Sequence, residues 1–195
     1  MRRVLIVLAA LALAAVLVVG LSQAGGEDDG EPDTAQSFDL AEAKRSLAGA
    51  PAPLAGLYGQ SNAILNADPE TFDARLDDLA GTPVVINKWA SWCGPCRSEF
   101  PIFQQVAAER GKEVAFVGLN AGDKRPAAET FLEERPLPYP SFEDPDEEIA
   151  ETLRAAKYFP MTVFIDARGE IEFTKAGEYR TAEDLEADID RYLGG

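Results

Sequence analysis

Val84–Pro101 reads "VVINKWASWCGPCRSEFP", and the rest of the chain is read outward from it. The stretch opens on an apolar, β-branched run, "PVVINKWA", of the kind that makes a buried strand. It closes by entering "RSEFPIFQQVAAER", where Phe100, Phe103, Val106 and Ala107 fall on one face of a helix. Between strand and helix lie Cys93 and Cys96, the only two cysteines of the chain. A cysteine at a helix start faces unpaired backbone N–H groups and the positive end of the helix dipole. Both favour the thiolate, the attacking species in disulfide exchange. A second cysteine one turn later can resolve the mixed disulfide, which makes Cys93 the attacker and Cys96 the resolver. Pro95 sits in the first turn, where a missing N–H costs nothing.

Other uses of the pair fit less well. A disulfide across two residues closes a very short loop and stabilises little. A structural zinc site needs four ligands, and this chain has two cysteines and no histidine. The missing histidine also removes imidazole acid–base chemistry. A thiol peroxidase would need a Thr-x-x-Cys, which the sequence does not contain. Lys plus Arg is 18 against 34 Asp plus Glu, a net charge of −16. A surface that acidic repels phosphates, so no nucleic-acid partner is expected. No metal or organic cofactor is expected either; the redox group is the Cys93–Cys96 disulfide itself.

The chain has 195 residues and divides by composition. In residues 1–24, Arg2 and Arg3 precede an uncharged apolar run of 18 residues, Val4 to Leu21. At ~1.5 Å per residue the run spans roughly 27 Å, near the thickness of a bilayer core. This favours an uncleaved single-pass signal-anchor, with the arginines in the cytoplasm and the rest of the chain outside. The pair Ser22-x-Ala24 leaves a cleaved signal peptide, and so a secreted or periplasmic domain, as the alternative. Residues 25–37, opening "GGEDDGEPDTAQ", are expected to be a disordered acidic linker. Residues 38–80 are expected to be a helical N-terminal extension. Leu40, Ala43 and Leu47 mark one helix, and Leu54, Leu57, Ile64 and Leu65 a second. Asp68-Pro69 starts a third, with Phe72, Leu76 and Leu79 as its stripe and Gly81 as its stop. From 81 to 195, strands "EVAFVGLN", "MTVFID" and "EIEFTKAG" alternate with helical patterns, and "TAEDLEADIDRYL" ends the chain as a helix capped by Thr181. The fold class is α/β, a central mixed sheet flanked by helices.

"VVINKWASWCGPCRSEFP" resembles the active-site segment of the thioredoxin superfamily. More narrowly it is similar to the membrane-tethered TlpA/ResA/CcmG-like thiol–disulfide oxidoreductases, over roughly Thr82 to Leu193. The resemblance includes Trp92 before the first cysteine and Pro101 five residues after the second. It implies a thioredoxin-like fold for residues 81–195. Asn87 stands where thioredoxins carry a buried Asp, as in the TlpA-like group, and Glu99 matches an active-site Glu of ResA-like proteins. Residues i and i+3 share a helix face, so a partly buried Glu99 can relay protons to the thiols. In "YFPMTVFID", Pro160 matches the superfamily's cis-proline, beside which a client pairs as an added strand, and Phe159 is the client-contacting residue before it. Lys88 departs from the pattern, since relatives carry an apolar residue there. The N-terminal helical region is expected to cover that face and supply a carboxylate.

The resemblance also implies a function. Cys-Gly-Pro-Cys is the thioredoxin dipeptide, and thioredoxin lies near −270 mV against about −120 mV for the oxidant DsbA. DsbA-type sites carry a histidine between the cysteines, absent here. The expected activity is an extracytoplasmic reductant of disulfides in exported proteins, with apocytochrome c among them. A membrane thiol donor would recharge it. An oxidase or isomerase of exported proteins is the alternative.

Overall fold

The computed structural model describes residues 38–194. The expected membrane segment and acidic linker lie outside these residues. Among the described residues no helix is long and apolar enough to cross a membrane.

The elements run α1 (Leu40–Ser46), α2 (Ala52–Tyr58), β1 (Ile64–Leu65), α3 (Pro69–Asp77), β2 (Val84–Trp89), α4 (Gly94–Arg110) and β3 (Ala115–Ala121). They continue with α5 (Arg125–Glu134), β4 (Ser141–Asp144), α6 (Glu148–Thr152), β5 (Met161–Ile165), β6 (Ile171–Ala176) and α7 (Ala182–Leu193). One sheet has the order β1-β4-β3-β2-β5-β6. The pairs β2–β3, β3–β4 and β4–β1 are parallel, while β2–β5 and β5–β6 are antiparallel. This is the mixed sheet expected from the sequence.

Every residue of β2, β3 and β5 is buried, which is why their sequences read as continuous apolar runs rather than alternating ones. On one face, Trp89 packs edge-on against Phe100 of α4 at 5.2 Å and, tilted, against Phe131 of α5 at 5.5 Å. On the other, Phe72 of α3 meets Phe142 of β4 at 5.2 Å. The chain therefore leaves the sheet centre, at the end of β2, directly into the helix that holds both cysteines.

Local rules set several boundaries. Asp68 caps α3 by accepting the Thr71 N–H at 2.8 Å, and Thr71 Oγ1 accepts the Asp68 N–H at 2.9 Å in return. Thr181 caps α7 by accepting the Asp184 N–H at 3.1 Å. Helix α3 stops at Asp77, so Leu79, placed on its stripe by spacing, is buried in the turn that follows. Gly81 then takes φ +87°, a conformation costly for any residue with a side chain.

Residues 40–77 hold three helices where three were expected, with one departure. Ile64 and Leu65, read as helical, form β1 and pair in parallel with Ser141 and Phe142. The open edge of β4 needs a backbone partner, and local periodicity cannot register that. Arg125 of α5 secures the strand, donating to Ile64 O at 2.9 Å and to the Glu143 carboxylate at 2.8 Å. The same region is tied to the sheet and to α4. Tyr58 Oη donates to Val114 O at 3.0 Å and accepts the Phe116 N–H at 3.3 Å, and Ser46 Oγ donates to Ala108 O at 2.9 Å. Leu54, Tyr58 and Phe72 lie in one core with the sheet residues.

Candidate active site

Cys93 is the N-cap of α4, with extended backbone at φ −83° and ψ 106°. Its Sγ accepts the Cys96 N–H at 3.2 Å, as a capping oxygen would. Cys93 and Cys96 are joined by a disulfide. Cys96 is fully buried against the core and Cys93 keeps 3% of its surface. Attack from outside is open to Cys93 alone. Pro95 occupies the first turn, and Pro101 lies inside α4, where it has no N–H to give Arg97 O.

Two segments flank the pair. Trp92, 60% exposed, donates its Nε1–H to Gly122 O at 3.0 Å and lays its ring 4.9 Å from that of Phe159. The Phe159–Pro160 peptide is cis, and Pro160 leads into β5 beside β2. Ahead of Cys93, the Asp123 carboxylate accepts the Ser91 N–H at 2.5 Å and the Ser91 hydroxyl at 3.0 Å, and it also takes the Asn120 amide at 3.1 Å. Asp123 thus ties the loop entering α4 to the end of β3. Sequence reasoning missed it, because nothing in "NAGDKRP" points to a residue 32 positions earlier.

Glu99 sits one turn beyond Cys96 and is fully buried, not partly exposed as its helical position suggested. Its Oε1 accepts the Asn87 side-chain N–H at 2.7 Å, and its Oε2 accepts the Tyr179 backbone N–H at 3.1 Å. The two polar residues singled out around the motif therefore form one buried cluster. Burial pushes the Glu99 carboxyl up from 4.5 to about 8, partly offset by the Tyr179 N–H, the Asn87 amide and the Lys175 charge. Tyr179 contributes only its backbone, so no residue-type signal could have marked it.

Lys88 is fully buried, and its carboxylate partner corrects the sequence-based expectation. Glu147, just before α6, supplies it at 2.6 Å, and the N-terminal region does not. Lys88 Nζ also donates to the carbonyls of Ala155 at 2.8 Å, Ala156 at 3.3 Å and Tyr158 at 3.3 Å.

The site therefore combines a buried carboxyl, a helix N-terminus and a disulfide with one accessible sulfur. That set can exchange thiols and move protons. With two thiols and no imidazole in the chain, it falls short of a zinc ligand set.

The Redoxin family profile matches residues 47–190, which takes in the site and the sheet around it. The chain belongs to the Redoxin family. Within the thioredoxin superfamily it is of the ResA/CcmG-like type. It is 35% identical to the thiol-disulfide oxidoreductase ResA of Oceanobacillus iheyensis over 101 residues, 50% of this chain and 51% of ResA. To the thiol:disulfide interchange protein DsbE of Xylella fastidiosa it is 32% identical over 146 residues, 73% of this chain and 68% of DsbE. The chain thus spans about half the length of the ResA relative. Among solved structures, a putative thiol:disulfide interchange protein DsbE from Chlorobium tepidum superposes with a TM-score of 0.55 at 33% identity, covering 61% of this chain and 85% of that one. The sheet with its flanking helices is a thioredoxin-like fold, as the motif implied. The Redoxin match begins at residue 47, so it takes in α2, β1 and α3, where the resemblance seen in the sequence ran out.

Proposed function

We propose that this Redoxin-family chain is an extracytoplasmic protein thiol–disulfide oxidoreductase that reduces disulfides in exported proteins through Cys93 and Cys96. The reading is carried by one observation: Cys93 Sγ caps the N-terminus of α4 and takes the Cys96 N–H at 3.2 Å, with Cys96 sealed behind it. In the reduced protein the same N–H and the helix dipole favour the Cys93 thiolate.

The Cys93 thiolate attacks a client disulfide, forms a mixed disulfide and releases one client thiolate. Cys96 then loses its proton, and its thiolate attacks Cys93 Sγ and expels the second client thiolate. The client gains two electrons from the cysteine pair and two protons, one released by Cys96 and one taken from water, and the protein is left as the Cys93–Cys96 disulfide. Glu99 is assigned the proton of Cys96, with Asn87 holding its carboxyl in place. A carboxyl near pH 8 lies close to the ordinary thiol value of about 8.5, so transfer between them is nearly thermoneutral. Phe159 and Pro160 form the edge that receives the client strand, and Trp92 borders it. A membrane thiol donor recharges the pair, and residues 1–24 tether the domain outside the cytoplasm. The ResA-like resemblance makes apocytochrome c one client class.

Redox titration of the pair against dithiothreitol tests the direction. The expected potential lies toward thioredoxin, below about −200 mV. One above about −180 mV would make the protein an oxidase or isomerase instead. A Cys96→Ser variant should trap a peptide client on Cys93; absence of the adduct would sink the assignment of the attacker.

A further inference from the structure

Lys88 lies in the middle of the sheet, paired across the strands with Leu119 and Met161, at a position with no access to water. An ammonium has three hydrogens to give, and every acceptor it meets belongs to one segment of chain, Glu147 to Tyr158. Three of those acceptors are carbonyls of the irregular loop between α6 and β5. An apolar residue at 88 would leave them without this partner inside the protein. The loop is in effect wound around the lysine.

The loop ends at Phe159. The Lys88 ammonium stands 3.8 Å from the centre of the Phe159 ring, whose other neighbour is the Trp92 ring at 4.9 Å. A second feature supports the same cluster. Gly122, at φ +56°, a backbone conformation that side chains rarely adopt, lies against both: a Cβ there would touch Glu147 Oε1 at 3.4 Å and Phe159 Cζ at 3.6 Å. The carbonyl of Gly122 holds Trp92. Lys88, Glu147, Phe159, Gly122 and Trp92 thus form one assembly that runs from the sheet interior to the residue beside Cys93.

We propose that Lys88 is a positioning residue for client recognition, fixing the 155–159 loop and the Phe159 ring where the client strand is received beside Cys93. This deepens the function proposed above and rests on its reading of Phe159 and Pro160. Lys88 touches no reacting atom. Its effect belongs to client binding rather than to the thiol chemistry.

The test compares the full chain with Lys88→Met, which has a similar length and no donors. Reduction of a disulfide-cyclised peptide and of glutathione disulfide is followed with each protein. Loss of a net hydrogen bond's worth of loop order raises the KM for the peptide about fivefold, with a smaller change in kcat. The ratio of peptide to glutathione-disulfide kcat/KM falls by about the same factor. Amide hydrogen exchange of residues 155–159 accelerates, while that of α4 does not. An unchanged KM, or an equal loss on both substrates, overturns the proposal. Should Lys88→Met not fold, the pair variant K88M/E147Q carries the same test, since it leaves no charge unpaired. The parent protein separates this inference from the one beneath it. No exchange by the parent removes the proposed function, whereas exchange by the parent with an unaltered KM in the variant removes only the role of Lys88.

Discussion

At the scale of single residues, Glu99 holds a proton that an exposed glutamate would have lost. In the unfolded chain its carboxyl titrates near the ordinary 4.5, and in the folded protein near 8 because it is buried. The folded state therefore binds one proton more than the unfolded state between these values. The stability this gives is full below pH 4.5, falls through the window and is gone above about pH 8, a loss on the order of a few kcal/mol. Glu99→Gln cannot ionise. Its guanidinium midpoint should fall less than that of the parent between pH 5 and 8.5, and the parent's rise in exchange rate around pH 8 should be missing. Parallel curves for the two proteins would mean that Glu99 neither titrates there nor serves Cys96. The i, i+3 spacing from Cys96 was legible in the sequence. The depth of burial was not, because it depends on Asn87, twelve residues away, and on the backbone of Tyr179, eighty away.

Among the elements, the spacing of β2, β3 and β4 is set by the smallest side chain in the sheet. Gly118 of β3 pairs with Asn87 on one side and Ser141 on the other. A Cβ at 118 would overlap Ser141 Oγ, approach Ser141 Cβ to 2.8 Å and Trp89 Nε1 to 3.1 Å. That hydroxyl and indole are themselves bonded at 3.1 Å. Gly118→Ala should therefore cost about 1–3 kcal/mol through overpacking. Its thermal midpoint should fall by several degrees, about 2–4 °C per kcal/mol for a domain of this size. An unmoved midpoint would show that β4 can draw back from β3. The sequence marks "EVAFVGLN" as a strand without saying why a glycine interrupts it. Likewise Ile64-Leu65 carried the same letters whether helix or strand, and the unfilled edge of β4 decided between them.

For the whole molecule, a net charge of −16 acts on any charged peptide that approaches it. A cationic disulfide peptide should be reduced faster than an acidic one of equal length at low salt, by about tenfold or more. The gap should close as salt shortens the Debye length to about 8 Å near 0.15 M. Rates independent of salt for both peptides would place the encounter on a locally neutral patch. The sequence by itself determined the Cys-x-x-Cys pair, its place between strand and helix, the mixed α/β class and the acidic field. These are local patterns or sums, and each is complete within a few residues or in composition. Tertiary structure alone decided that Glu99 and Asn87 share one buried cluster. It also decided that Asp123 anchors the approach to Cys93 and that Lys88 takes its carboxylate from Glu147, 59 residues on, rather than from the N-terminal region. Each of these joins groups far apart in the chain through burial and hydrogen bonding, and neither spacing nor composition carries a record of such contacts.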